Sequence, residues 1–267
     1  MQQTPSTEQI PGFYTNQHVK PECAPFALME GHKQAMLFVH GLTGSPADFR
    51  QFTKTYANHY DVFTPLWPGH GSHISYLERL TYKELFIPFE PLMAWLQERY
   101  EKVHVTALSY GCILAADLVL RRSAATFTTL APAFYLTVEQ EKKMVWVKRF
   151  HIHKFRKRVS KSKVRSSFSS GDRDAYTYDD IATVPAVELH LRSAEIRPQL
   201  KDLEMPVFHA HGNADRTTPH HSNHAFLKQQ IQDYIYHEFE DAGHVLPTEA
   251  CADELTLLHL QWLEAHS

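Results

Sequence analysis

Val103-His104-Val105-Thr106-Ala107-Leu108-Ser109-Tyr110-Gly111 is the stretch on which the fold turns. Val103 to Leu108 has the composition of a buried strand, and Gly111 to Arg121 reads as a helix. Between them the chain must turn sharply, and small residues flanking a serine let its side chain project from the strand end. Gly111 meets that need. Ala107 departs from the glycine usual two positions before the serine, although a methyl is tolerated where such a turn passes a neighbouring strand. A serine between strand and helix is also an ordinary helix cap, so the five residues 107–111 do not decide the matter alone.

Outward from this stretch the same alternation recurs. Ala35-Met36-Leu37-Phe38-Val39 is a continuous apolar run, as expected of a strand covered on both faces of a parallel sheet. It ends in His40-Gly41-Leu42-Thr43-Gly44, after which Ser45-Pro46 supplies a cap and a first-turn proline, with Phe49, Phe52 and Tyr56 at helical spacing. Val62–Trp67 reads as a strand. Tyr82–Tyr100 reads as a helix disturbed by Pro88 and Pro91, and Phe127–Ala131 as a further strand. Pro206–Ala210 and Tyr234–Phe239 are two more strands, flanking a helix near Ser222–Ile231, and a last helix follows from Thr248. An α/β fold with a mostly parallel, crossover-linked sheet is implied. Residues 1–33, with Pro5, Pro11, Pro21 and Pro25, read as an irregular arm with room for short strands. Between Pro132 and Met205 the strand rhythm disappears. Residues 132–205 are therefore expected to form a cap inserted into a core made of 1–131 and 206–267.

The composition bounds the rest. At 267 residues, 43% hydrophobic and 21% charged, the chain has enough apolar side chain for a sizeable core. The first ten residues lack a basic start and an apolar run, and no stretch approaches a membrane span, so a cytoplasmic protein is expected. Cys23, Cys112 and Cys251 are far apart and show no zinc or dithiol spacing, which suits reduced thiols. The net charge of −3 is unevenly spread. Residues 142–165 hold eleven of the 27 Lys and Arg and no acid, leaving 16 bases against 30 acids elsewhere.

Two later strand ends give the serine its context. Asp215 closes His211-Gly212-Asn213-Ala214-Asp215, and His244 closes Asp241-Ala242-Gly243-His244. Serine is a poor nucleophile near neutral pH. It needs an imidazole to take its proton and a carboxylate to orient that imidazole, and the order Ser, acid, His supplies both. With 19 histidines in the chain, position rather than residue type selects His244. Asp241, Asp202 and Asp172 are rival acids, but none follows a core strand as Asp215 does.

Taken together, the HGLTG loop with its Ser45-Pro46-Ala47-Asp48, the Pro68-Gly69-His70-Gly71 loop, the turn at Ser109, the H-G-N-A-D strand end and A-G-H resemble an α/β-hydrolase. The group they are similar to is that of bacterial carboxylesterases and monoacylglycerol lipases, over roughly residues 34–265. The resemblance implies the α/β-hydrolase fold with a cap inserted after the sixth strand. It also implies catalysis by Ser109, Asp215 and His244, with an oxyanion hole from the Leu42 and Tyr110 amides. Hydrolysis of short to medium acyl esters or monoacylglycerols follows as an expectation, without metal or organic cofactor, by a chain for which a monomer is favoured. His40-Gly41-Leu42-Thr43-Gly44 could instead be only a tight turn with His40 packed beneath it. A thioesterase or a carbon–carbon bond hydrolase would use the same residues, and a non-catalytic binding protein on this scaffold would ordinarily lack one of the three.

The basic cap is the main departure from that group. Lys154, Arg156, Lys157, Arg158, Lys161, Lys163 and Arg165 sit among Trp146, Phe150, Phe155 and Val159. A solvated, mobile lid is one reading, and a surface for anionic lipid, nucleic acid or an acidic acyl carrier is the other. No nucleic-acid fold accompanies the charge, and no nucleic-acid partner is expected.

Overall fold

The computed structural model describes residues 9–15, 18–160 and 177–266. Lys161, Lys163, Arg165 and Asp172 lie outside the described residues. The core elements run in chain order β1 (Phe26–Leu28), β2 (Gln34–Val39), α1 (Thr53–Tyr56), β3 (Asp61–Thr64), α2 (Tyr82–Phe86), α3 (Phe89–Gln97), β4 (Lys102–Leu108), α4 (Gly111–Arg121) and β5 (Thr126–Leu130). The inserted segment holds α5 (Val138–Arg149), α6 (Ile152–Phe155), β6 (Arg158–Ser160), β7 (Asp180–Ala182) and α7 (Thr183–Ile196). The core resumes with β8 (Val207–Gly212), α8 (His220–Gln230), β9 (Tyr234–Phe239) and α9 (Ala252–Ala265).

Seven strands form one sheet in the order β1-β3-β2-β4-β5-β8-β9, while β6 and β7 pair antiparallel with each other. Only β1 runs antiparallel within the large sheet. Period-two alternation divides β2 between two apolar layers. Ala35, Leu37 and Val39 join the layer of α3, α4 and α7, whereas Met36 and Phe38 join that of α1 and α9. Phe38 is fully buried against Phe49 and Tyr56, a burial that stabilises by about 2–3 kcal/mol.

The structure corrects the expected elements in several places. The insertion follows the fifth strand of the sheet rather than the sixth, because only one strand, β1, precedes β2 among the described residues. The proline-rich chain before β1 contributes a 3-10 turn at Pro21–Cys23. The helix expected over 82–100 is two helices. Pro88 caps the second of them, and Pro91 is accommodated in its first turn, where a missing N–H costs nothing. The helix after the HGLTG loop is a 3-10 turn, Pro46–Phe49, followed by the short α1. Ser45 and Asp48 form the capping box of that turn. β3 stops at Thr64 instead of continuing to Trp67, and the last helix begins at Ala252 after a 3-10 turn at Leu246–Thr248.

An ionic cluster around a buried carboxylate joins the insertion to the core. Asp117 on α4, with its side chain 4% exposed, accepts from Arg192 Nη2 of α7 at 2.7 Å and Arg192 Nε at 3.0 Å. It also accepts from Arg121 Nε at 2.9 Å and the Tyr82 hydroxyl at 2.6 Å. Burial disfavours the Asp117 charge, but Arg192, Arg121 and Tyr82 outweigh it and hold the carboxyl below its ordinary value. No helix among the described residues is long and apolar enough to cross a membrane.

Candidate active site

Ser109 leaves β4 with φ at +57°, in the left-handed region that a side chain enters only under strain. The surroundings hold it there. Its N–H donates to Leu130 O at 2.9 Å, and its carbonyl accepts from Cys112 N at 3.0 Å and Ala133 N at 3.3 Å. Gly111 is required for the turn, since a Cβ at that position would lie 2.4 Å from His40 O and 2.6 Å from Val39 O. Ala107 is fully buried opposite Val39 in β2, so its methyl is accommodated within the sheet.

The three residues expected to act together are brought together. His244 Nε2 lies 2.8 Å from Ser109 Oγ, and His244 Nδ1 lies 2.7 Å from Asp215 Oδ2. Ser109 and His244 are 9% and 7% exposed, which leaves narrow access, and the Asp215 side chain has none. Asp215 Oδ1 accepts from the Thr217 and Thr218 amides at 2.6 and 3.1 Å, and Oδ2 accepts from Thr218 Oγ1 at 2.9 Å and His211 Nε2 at 3.0 Å. Burial opposes the charge on Asp215. The facing His244 and the His211 donor overcome it and hold the carboxyl well below the usual carboxylate range. The rival acids stand apart: Asp241 is an exposed turn residue whose amide donates to Asn213 Oδ1, and Asp202 is exposed at the end of the insertion.

The HGLTG loop passes directly over the serine. A Cβ on Gly41 would stand 3.3 Å from Ser109 Cβ. His40 is packed beneath the loop and also shapes it. Its Nε2 accepts from Trp67 N at 3.1 Å, so its Nδ1–H donates to Gly41 O at 2.8 Å. That carbonyl belongs to the same peptide unit as the Leu42 N–H, so fixing one aims the other. His70, from the Pro68–Gly71 loop, donates to Leu42 O and ties the two loops together. Burial drives His40 well below its ordinary value and His70 down to about 4, so both work as neutral rings. The Tyr110 amide sits where α4 begins, at the partly positive end of that helix. Thr217, Thr218 and His211 around the acid, and His70 beside the loop, were not singled out from the sequence. The only signal for His211 was its place in the same H-G-N-A-D strand end.

The model of the alpha/beta hydrolase family matches residues 36–256. A thermostable monoacylglycerol lipase of Bacillus sp. (strain H-257) is 38% identical over 84 residues, 31% of this chain and 34% of that protein. The aligned part spans only about a third of the length of the curated relatives the chain matches. Among solved structures, the metagenome-derived lipolytic enzymes LipS and LipT are represented by a chain that superposes with a TM-score of 0.79 at 19% identity. That match covers 93% of this chain and 100% of the other. The monoacylglycerol lipase of Paleococcus ferrophilus superposes with a TM-score of 0.73 at 17% identity, over 87% and 95% of the two chains. At such identities the structural likeness establishes the fold, and the family model establishes membership. This chain belongs to the alpha/beta hydrolase family.

Proposed function

We propose that the protein is a serine hydrolase that cleaves carboxylic esters, short to medium acyl esters or monoacylglycerols, through an acyl-serine intermediate. The observation that carries this reading is the unbroken contact from Ser109 Oγ through His244 to Asp215, at 2.8 and 2.7 Å, on a serine held at positive φ. Ser109 Oγ attacks the ester carbonyl carbon as its proton passes to His244 Nε2, and the Leu42 and Tyr110 amides receive the negative charge that develops on oxygen. Collapse of the tetrahedral intermediate breaks the carbon–oxygen bond to the alcohol, which leaves with the proton from His244. Water, deprotonated by the same imidazole, then attacks the acyl-Ser109 ester; the carbon–Oγ bond breaks as His244 returns the proton to Ser109 Oγ, and the carboxylic acid is released. Asp215 remains ionised throughout, keeping the proton of neutral His244 on Nδ1 and stabilising the imidazolium.

Substrate choice belongs to the cap. Val145, Trp146 and Phe150 of the α5 region are exposed beside Lys142, Lys143, Lys148 and Arg149, and the Trp146 and Phe150 rings lie 4.9 Å apart. A cationic and aromatic surface of this kind supports contact with anionic lipid or an anionic acyl donor. Turnover of a series of acyl esters tests the assignment. Wild type should hydrolyse them, and Ser109→Ala and His244→Ala should each lose activity by about a thousandfold or more. Inactivity of the wild type on the whole series would remove the reading.

A further inference from the structure

Behind Asp215 the hydrogen bonds continue. His211 Nε2 contacts Asp215 Oδ2 at 3.0 Å, and His211 Nδ1 contacts His209 Nε2 at 3.2 Å. His209 Nδ1 contacts the Tyr234 hydroxyl at 2.7 Å, and that hydroxyl meets His224 Nδ1 at 2.9 Å. His209 and His211 alternate with Ala210 on β8 and so share one face of the strand. Tyr234 comes from the neighbouring β9 and His224 from α8. Both β8 rings are fully buried.

The direction of every donor in this chain follows from its end. An ionised carboxylate only accepts, so the proton of His211 sits on Nε2. A neutral His211 then has a lone pair on Nδ1, which accepts from His209 Nε2–H. His209 Nδ1 is in turn left to accept from the Tyr234 hydroxyl, whose oxygen accepts from His224 Nδ1–H. Thr218 fits the same pattern, donating to Asp215 Oδ2 at 2.9 Å while its oxygen lies 3.2 Å from His211 Nε2. All donors point toward Asp215. Burial lowers the affinity of both β8 rings for a second proton, in keeping with their neutral state.

We propose that His211 is a positioning residue for the hydrolytic reaction, holding Asp215 ionised and aimed at His244, and that His209, backed by Tyr234 and His224, locks His211 in the tautomer that can do so. The assignment rests on the serine-hydrolase reading above. A buried pair of histidines kept only for packing would fill the same space, but it would have no need of this proton arrangement. Losing the donor leaves Asp215 Oδ2 with Thr218 Oγ1 and His244 as its remaining partners, loosens its aim at His244 and removes one of the contacts that oppose its protonation, so the effect falls on the chemical step.

Three measurements test this. In steady-state ester hydrolysis, His211→Leu should lower kcat by about thirtyfold with KM changed less than about twofold. His211→Gln, which restores an N–H near the Nε2 position, should recover kcat to within about fivefold of wild type. An unchanged kcat in His211→Leu, or a His211→Gln variant as slow as the leucine variant, would overturn the proposal. Should the leucine variant fail to fold, nitrogen-15 spectra of the wild type still decide: His211 should carry its proton on Nε2 at pH 7, and a proton on Nδ1 would contradict the assignment. Reaction of wild type with a fluorophosphonate separates the two levels. Labelling with normal kcat in His211→Leu overturns only the positioning role, whereas a wild type that does not label overturns the catalytic reading and this one with it.

Discussion

Arg192 of the inserted helix α7 and Asp117 of the core helix α4 face each other through two hydrogen bonds, at 2.7 and 3.0 Å, with the Asp117 carboxylate almost wholly buried. This pair fastens the inserted segment to the core. Asp117→Ala leaves Arg192 and Arg121 without their shared acceptor and should destabilise the fold by about 3 kcal/mol, reduced by whatever water reaches the two partly exposed guanidinium groups. Because the folded pKa of Asp117 is depressed, its contribution is present above the unfolded value of 3.8 and is lost as pH falls through the folded one. Urea unfolding of wild type and variant at pH 7 checks the size, and convergence of the two curves toward pH 3 checks the sign.

Acid should weaken the protein well before its carboxylates protonate. His40, His70, His104, His209, His211 and His259 are all buried, and burial lowers each below 6.5, with His70 and His104 at about 4 and His259 at about 3. The unfolded chain takes up protons on these rings around pH 6.5 while the folded chain does not. Stability is therefore full above that value and falls as pH drops from 6.5 toward 4. The loss should reach on the order of 5 kcal/mol between pH 7 and 5.5, comparable with the whole stability of an ordinary domain. Chemical denaturation at a series of pH values measures it, and a flat profile down to pH 5 would contradict the buried, neutral state of these rings.

The strand-to-helix turn tolerates no side chain at its glycine. Gly111→Ala places a methyl against His40 O, where a Cβ would stand at 2.4 Å, so α4 and the HGLTG loop must separate. We expect about tenfold or more loss of kcat together with destabilisation of roughly 2 kcal/mol. Ala107→Gly should be mild by comparison, because the Ala107 methyl already fits within the sheet.

If the cap recruits anionic substrates, turnover of an anionic acyl ester should fall with added salt while that of a neutral ester of equal chain length should not. Replacing Lys142, Lys143, Lys148 and Arg149 with glutamine should reduce the difference. Equal salt response of the two esters in wild type would remove the role of these charges.

The core was legible in the sequence because its signals are local. The continuous apolar run 35–39, the strand–turn–helix around Ser109, and the strand ends at Asp215 and His244 each carry their own punctuation, and Gly111–Arg121 and Tyr234–Phe239 are helix and strand as read. Element ends were less legible where two signals compete, as at Pro88, which splits a periodic run, and at Thr64, where β3 yields to the loop leading to Trp67. The support around Asp215 was hidden for a different reason. His209-Ala210-His211 reads only as an alternating strand, and nothing in the sequence states that this face of β8 meets Tyr234 and His224. The cap stayed opaque because its contacts, such as Arg192 with Asp117 across 75 residues, are long-range.

The central claim is that Ser109 is the nucleophile activated by His244. Mass spectrometry of the protein after exposure to a fluorophosphonate tests it most directly. One phosphonyl group per chain, located on the peptide containing Ser109, absent in Ser109→Ala and formed far more slowly in His244→Ala, is the result expected. A wild-type chain that remains unmodified, or that carries the adduct on another residue, would contradict the account.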